Sequence, residues 1–424
     1  INLLAQDSQV AYTLGHSGTR IVFAAPEFIA RLEGLQPATR KIALQPTDPD
    51  RLGLPDAADT SLEPVTHASP AMLMYTSGTT GQPKGVLLSH GNMIHAGKVV
   101  AAWQALDEND RVLSSLPLFH INGQCIATVA PVVSGGSIVM PHRFSAREWW
   151  PLVERYRPTW LNVVPTIIAY LLNGPDLTAD QRAASRGIRF ARCASAPLPP
   201  DQHRAFEQRF GITVMEAMGL TETASIAFAN PLAADRRKYG SPGLPLGVEA
   251  RVVAADGTVL SDGTPGEIQL RGPSVMAGYY RDPERTAQVL SADGWFSTGD
   301  LGCRDTNGFY SITGRLKELI IKGGENIAPR EIDEALMLHP AVLEAAAVGI
   351  PDANYGQDIL ACVVLKPGAS CDASELAAHC VTHLGRYKSP RLIRVVATLP
   401  KGPSGKVQRL RLLEALQGNE QAGR

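Results

Sequence analysis

The residues best equipped for chemistry lie between positions 75 and 85: Tyr75-Thr76-Ser77-Gly78-Thr79-Thr80-Gly81-Gln82-Pro83-Lys84-Gly85. All but Tyr75 and Gln82 are Gly, Ser, Thr, Pro or Lys. Small residues let backbone come close to a polyanion, hydroxyls add donors, and Lys84 adds a fixed charge. That is equipment for holding phosphate. A flexible linker is the plainer alternative, but linkers are seldom fenced by apolar runs such as 71–74 and 86–88. The Walker A spacing is absent, and so is Gly-x-Gly-x-x-Gly.

Other groups with chemical capacity follow along the chain. Met218-Gly219-Leu220-Thr221-Glu222-Thr223 offers hydroxyls and one carboxylate, and Mg2+ favours one or two carboxylates combined with phosphate oxygens. Asp300 ends Trp295-Phe296-Ser297-Thr298-Gly299-Asp300. Its carboxylate could accept both hydroxyls of a ribose, although an isolated Asp in a turn is more often a backbone cap. The small side chains of Ala194-Ser195-Ala196-Pro197 permit close approach, and equally suit a tight turn. Gly314-Arg315-Leu316-Lys317-Glu318 precedes Gly323-Gly324-Glu325-Asn326. The latter is either a hairpin turn or a place where a thin ligand slides past bare backbone. Lys406 lies in Pro400-Lys401-Gly402-Pro403-Ser404-Gly405-Lys406-Val407, where a Lys is ordinarily just exposed. His120, in Phe119-His120-Ile121-Asn122-Gly123, is a lone His of the kind that is ordinarily structural. His379 and His383 stand four apart beside Cys380, and without further ligands in the sequence they read as structural.

The elements that must position these groups alternate. The phosphate loop reads as strand, loop, strand, with a helix from about Ser89. Strands are expected at 111–118, 137–140, 160–164, 188–193 and 213–217, and helices at 122–133, 146–156, 165–172 and 199–210. This implies a parallel sheet with covering helices, whose strand ends are where ligands sit. A β-run is expected at 19–25 after a helical start. Residues 34–70 read as surface loop with a strand near 41–44. From Gly240 short β-runs (249–253, 267–271, 309–312) between Gly, Pro and Asp turns suggest a β-rich subdomain, perhaps barrel-like. After Gly314 a compact α+β pattern follows: a helix from Pro329 to about Leu338, strands at 345–348 and 360–365, and a helix capped by Asp372 that ends near Leu384. The domain division is placed at 1–314 and 315–424.

At 424 residues the chain is too long for one ordinary core. Its 44% apolar and 19% charged composition is that of a soluble globular protein. A net charge of −1 argues against a nucleic-acid or membrane-surface protein. No apolar run approaches the length of a membrane span. Six scattered cysteines without Cys-x-x-Cys suit reduced thiols in the cytoplasm. Between Glu375 and Glu414 there are eight Lys or Arg and no acid. That run is either a solvated basic face or a surface for phosphate groups.

Thr-Ser-Gly-Thr-Thr-Gly-x-Pro-Lys-Gly resembles the signature loop of the adenylate-forming superfamily: acyl-CoA synthetases, peptide-synthetase adenylation domains and beetle luciferases. The other motifs occur in the family's order, and the resemblance spans nearly the whole chain. It implies a large α/β domain with a β-rich subdomain at about 240–314, followed by a small mobile lid domain. It implies an ATP-dependent acyl-CoA synthetase using Mg2+ and coenzyme A, whose acid is first activated as an acyl-adenylate. On this resemblance Thr76, Ser77, Gly78, Thr79, Thr80, Gly81 and Lys84 hold phosphate, Thr221 contacts a phosphate, and Glu222 helps hold Mg2+. Ser195, Ala196 and Pro197 run along the adenine, as do Met218, Gly219 and Leu220; Met218 replaces the family's usual aromatic. Asp300 and Arg315 serve the ribose and phosphate region, and Lys317 is the hinge. Gly323 and Gly324 line the pantetheine tunnel, with His120 at the tunnel or acyl pocket. Lys406 reaches the α-phosphate and the substrate carboxylate. An adenylation domain that loads a carrier protein, or a nucleotide-binding pseudoenzyme, would share these motifs, and a luciferase-like oxygenase has no feature requiring it. A homodimer is compatible. Family members begin upstream of the point matching Ile1, so an N-terminal piece is expected to be missing. The pocket segments 120–123, 165–166 and 218–225 are mostly small or apolar, with Arg192 the one cation nearby. They favour a monocarboxylic acid, aliphatic or aryl. Asn230-Pro231-Leu232 with Arg237-Lys238 resembles oxalate-activating relatives and keeps a small dicarboxylate open.

Overall fold

In the computed structural model, which describes residues 1, 5–44, 64–76, 83–401 and 407–413, the strand–helix alternation builds a seven-stranded sheet. Its order is Leu244–Pro245, Phe228–Ala229, Val214–Met218, Phe190–Cys193, Trp160–Val163, Arg111–Ser114, Ser137–Val139. The last five strands run parallel, Phe228–Ala229 runs antiparallel to them, and Leu244–Pro245 pairs antiparallel to Phe228–Ala229. Every residue of Trp160–Val163 and Phe190–Cys193 is buried, as expected of a sheet covered on both faces. One face packs Val112, Trp160, Phe190 and Met215. The other packs Leu113, Leu161, Ala191 and Val214. Two buried polar residues, Asn162 and Arg192, interrupt these apolar strands.

Local chemistry explains the covering helices. Ser89 caps His90–Trp103 through a reciprocal pair with Asn92. Ser145 caps Ala146–Tyr156, which buries Trp149, Trp150 and Val153 on one side. Pro165 and Pro200 open their helices at the first turn, where a missing N–H costs nothing. The segment expected as one helix at 122–133 begins instead as a π-helix, Asn122–Val129, before becoming α-helical over Ala130–Ser134. Such wide turns occur often at functional sites.

The hairpin Pro70–Thr76/Lys84–Ser89 sets Thr76 opposite Lys84. Gly278–Tyr279 joins its second strand, with Tyr279 opposite Val86. An antiparallel sheet follows in the order Glu249–Val253, Gly266–Arg271, Phe296–Arg304, Tyr310–Arg315. Asp300 therefore lies within a strand rather than a turn, directly opposite Arg315.

The last sheet joins Glu325–Ile327, Ile320–Lys322, Gly356–Leu365 and Val342–Asp352, with Leu392–Val395 parallel to Gly356–Leu365. Its two faces have separate cores, one with Ile332, Leu336 and Leu376 and one with Leu399 and Leu412. Gly385, at φ +73°, breaks the last helix just after Leu384. Asp372 accepts from the N–H groups of Ser374 and Glu375 at its start.

Candidate active site

A large cleft opens between the C-terminal ends of the parallel strands and the last sheet. Thr76, Lys84, His120, Ser195, Ala196, Pro197, Met218, Gly219, Leu220, Thr221, Glu222, Asp300, Arg315 and Lys317 all line it. Residues far apart in sequence are thus brought to one place. Gly323 and Gly324 do not line it. Their turn packs beside Tyr387 and Tyr355, and a Cβ on Gly323, whose φ is +56°, would meet the Tyr387 hydroxyl at 2.8 Å. Gly324, at φ +87°, has nothing within 4 Å of such a Cβ. Ser77, Gly78, Thr79, Thr80, Gly81 and Lys406 lie outside the described residues.

At one wall Tyr279, Lys84 and Glu222 form a closed group. The Tyr279 hydroxyl donates to Glu222 Oε1 at 2.9 Å and accepts from Lys84 Nζ at 2.9 Å. Lys84 Nζ is 3.8 Å from the same Oε1 and 4.4 Å from the Tyr279 ring centre. Burial lowers the Lys84 pKa, and burial beside Glu222 raises that of Tyr279. The tyrosine therefore stays a donor and fixes the carboxylate. Glu222 Oε2 makes no hydrogen bond among the described residues. A hard anionic oxygen on a cleft wall beside a lysine suits Mg2+ carried by a nucleotide. Tyr279 carries no motif signal; only the strand pairing that sets it beside Val86 reveals it.

The loop after Val214–Met218 is held in an uncommon conformation. Ala224 and Ser225 both have positive φ, 49° and 73°, as does Ser195 at 75° on the neighbouring strand end. Each such residue costs on the order of 1 kcal/mol, and they concentrate at functional sites. The glycine of the Met218-Gly219 pair has an internal reason: a Cβ there would meet the Ser225 carbonyl oxygen at 2.1 Å. Below this loop Glu216 is buried and lines the cleft, and burial pushes its carboxyl up to about 7. Its Oε1 accepts from the Leu198 N–H at 3.3 Å, while Oε2 has no partner.

Asp300 is 3% exposed, and its Oδ1 accepts from Arg315 Nε at 2.8 Å. Thr298 Oγ1 accepts the Asp300 N–H at 3.0 Å and donates to the Ile268 carbonyl at 2.7 Å. His120 Nδ1 accepts from the Asn122 N–H at 3.2 Å. Asn122, at the start of the π-helix, donates from Nδ2 to Ser195 Oγ at 3.1 Å. Its Oδ1 accepts from Asn162 Nδ2 at 3.0 Å and from Arg192 Nη1 at 3.4 Å.

Several sequence readings meet structural explanations here. In the basic run, Lys388 pairs with Glu331 at 2.7 Å, Arg391 with Asp352 at 2.5 Å and Lys401 with Glu344 at 2.6 Å. Arg409 binds Glu318 at 3.1 Å and also Asp333. Four of the eight cations thus have acidic partners between positions 318 and 352, which weighs against a surface for phosphates. Asn230 is buried, bonding the Ser241 carbonyl and the Lys238 N–H, while Arg237 bonds Glu207. His379 Nε2 lies 2.9 Å from the Ala335 carbonyl oxygen and its ring stands 4.3 Å from that of His383, a packing role.

The family model described as AMP-binding enzyme matches residues 1–280, and that of the AMP-binding enzyme C-terminal domain matches 331–406. The chain belongs to the AMP-binding enzyme family. A sulfoacetate–CoA ligase of Cupriavidus necator is 56% identical over 97% of this chain and 81% of its own length. An oxalate–CoA ligase of Arabidopsis thaliana is 36% identical over 83% of this chain and 68% of its own. Among solved structures, ATP-bound MatB from Rhodopseudomonas palustris has a TM-score of 0.90 at 31% identity, covering 98% of this chain and 83% of that one. Within the family the protein is an ATP-dependent, AMP-forming acid–thiol ligase of the acyl-CoA synthetase branch, acting on a carboxylic acid, ATP and CoA. Among the described residues no helix is long and apolar enough to cross a membrane.

Proposed function

We propose that the acid this ligase activates is a short one carrying a second anionic group, with sulfoacetate foremost. The carrying observation is the 56% identity, across 97% of the chain, to a sulfoacetate–CoA ligase. The reading departs from the monocarboxylic acid favoured by the apolar pocket segments.

The substrate carboxylate attacks the α-phosphorus of ATP; the new P–O bond forms as the bond to pyrophosphate breaks. Both reactants are anionic, so the site must offset their repulsion as charge develops. Lys84, steadied by Tyr279, places its charge beside Glu222. Thr221 offers a hydroxyl to phosphate, and Glu222 would hold Mg2+, which when bound neutralises phosphate charge. Asp300 takes the ribose hydroxyls, with Arg315 setting its orientation. Lys406 and the loop from Ser77 to Gly81 belong to this set by the family resemblance. In the second half-reaction the CoA thiol attacks the acyl carbonyl and AMP leaves. The division into 1–314 and 315–424, rotation about Lys317, and entry of the Gly323-Gly324 face for CoA belong to the same reading. So do a cytoplasmic location, consistent with six free cysteines, and a homodimer, which light scattering on the purified protein tests.

A panel of acids scored by pyrophosphate release tests the substrate class. Sulfoacetate and other short two-acid compounds are expected to exceed acetate, hexanoate and benzoate. Preference for any of the three monocarboxylates would overturn it.

A further inference from the structure

We infer that Arg192 is the anion-binding residue of the acyl pocket, its guanidinium receiving the second acidic group of the substrate. The inference rests on the substrate class proposed above and names the residue that would impose it.

Arg192 sits on the strand Phe190–Cys193 with 1% exposure, among the largest fully buried side chains of the protein. Ser114, Asn162, Arg192 and Met215 are register partners across four neighbouring parallel strands, so they share one face of the sheet. Ser114, Asn162 and Arg192 stand at or near the C-terminal ends of their strands, where open α/β sheets bind ligands. Both Arg192 and Asn122 line the cleft.

The guanidinium is poorly satisfied. Among the described residues its one hydrogen bond is the 3.4 Å contact from Nη1 to Asn122 Oδ1, and Nε and Nη2 have no partner. Among the described residues no carboxylate lies within ion-pair distance of it. Glu216, on the next strand, pairs in register with Cys193 and so belongs to the opposite face. Burial alone pulls the Arg192 pKa down to about 10, which leaves it charged at neutral pH. A buried charge without a counter-ion costs several kcal/mol and persists in few proteins without a purpose. The Asn122 amide, itself bonded to Asn162 and Ser195, orients the guanidinium but cannot neutralise it. A sulfonate or carboxylate on a short acid supplies the missing charge, and a planar guanidinium with two open donor positions matches such an oxyanion bidentately. The other end of that acid then faces the nucleotide side of the cleft. A neutral acyl tail would leave the cation uncompensated, so the same residue both attracts two-acid substrates and rejects monocarboxylic ones.

The test compares sulfoacetate with methylsulfonylacetate, which keeps the shape and loses the charge. For the wild type, kcat/KM in pyrophosphate release is expected to favour sulfoacetate strongly. In Arg192→Met the ratio of the two is expected to fall by at least roughly a hundredfold, the lower end of what two charge-assisted hydrogen bonds contribute. Sulfoacetate is expected to raise the melting temperature of the wild type and not that of Arg192→Met. Asn122→Asp is a nearly isosteric second variant. It gives Arg192 an internal counter-ion and is expected to weaken sulfoacetate selectivity while the protein stays folded. If both acids decline together in both variants, Arg192 is a structural residue and the inference is wrong. If the wild type ignores every two-acid compound, the substrate class itself is wrong. Retained selectivity in both variants overturns the assignment of Arg192 alone.

Discussion

Tyr279→Phe examines the phosphate wall most sharply. The change removes one oxygen from a side chain that is 6% exposed and keeps the ring that packs in the core. Two bonds to charged groups go with it, the donation to Glu222 at 2.9 Å and the acceptance from Lys84 at 2.9 Å. A hydrogen bond to a charged group contributes about 1.5–3 kcal/mol. Lys84 already lies 3.8 Å from Glu222 and can close on it, so one bond is recovered and one is lost. A net loss of about 1.5–3 kcal/mol corresponds to a roughly 10- to 150-fold lower rate. The assay is ATP–pyrophosphate exchange at saturating acid, with Mg2+ and ATP varied independently. The expected outcome is a fall in kcat/KM for MgATP within that range, a higher Mg2+ requirement, and a KM for the acid within about twofold of wild type. Folding is read from the melting curve, where the retained ring limits the change. A folded variant with exchange within threefold of wild type, or with its defect in the acid KM, would refute the reasoning that Tyr279 sets the carboxylate for the metal-bound nucleotide.

Three further outcomes follow from other groups. Glu216 is buried with its carboxyl raised from 4.5 to about 7, so the folded state holds a proton that the unfolded chain releases. Stability is then lost as pH rises between those values, by roughly 3 kcal/mol in all. Denaturant titration of Glu216→Gln should show that loss abolished and the variant more stable than wild type at pH 8; equal slopes in both proteins would contradict it. Gly324→Leu adds a side chain into open space at φ +87°, at a cost on the order of 1–2 kcal/mol. It should slow thioester formation from supplied acyl-adenylate while pyrophosphate exchange persists; loss of exchange instead would place Gly324 outside a CoA role. Lys406→Ala should stop adenylation and spare thioester formation, and an equal fall in both half-reactions would contradict domain alternation.

Much of the fold was legible because it is written in local signals. The helix Ala146–Tyr156 matches its expected span, and Pro165–Leu172 does so as well. Periodicity, a Ser cap and a Pro at the first turn each act within one element. The end of the last helix at Leu384 was legible in the same way, through Gly385. What sequence could not reach were consequences of pairing between distant segments. The short helix Ala179–Ser185 and the strand Phe296–Arg304 were not expected, and the latter carries Asp300 in a strand because Arg315 lies across from it. The π-helical opening at Asn122 reads in sequence as ordinary helix, since a wide turn has no residue signature. Among the described candidate site residues, those of the motifs at 76–84, 195–197, 218–222, 300 and 315–317 line one cleft, while Gly323 and Gly324 do not. Tyr279, Asn162 and Glu216 were missed, and Asn122 was read only as part of the pocket segment 120–123, because their significance comes from burial and from a partner on another element. Arg192 was visible as a nearby cation, but its lack of a counter-ion is a three-dimensional fact.

The account stands or falls on what the purified protein makes from sulfoacetate, MgATP and CoA. Chromatography with mass detection should find AMP and the sulfoacetyl thioester of CoA rising together in a one-to-one ratio. ADP in place of AMP, or no thioester from sulfoacetate while a monocarboxylic acid supplies one, would contradict it.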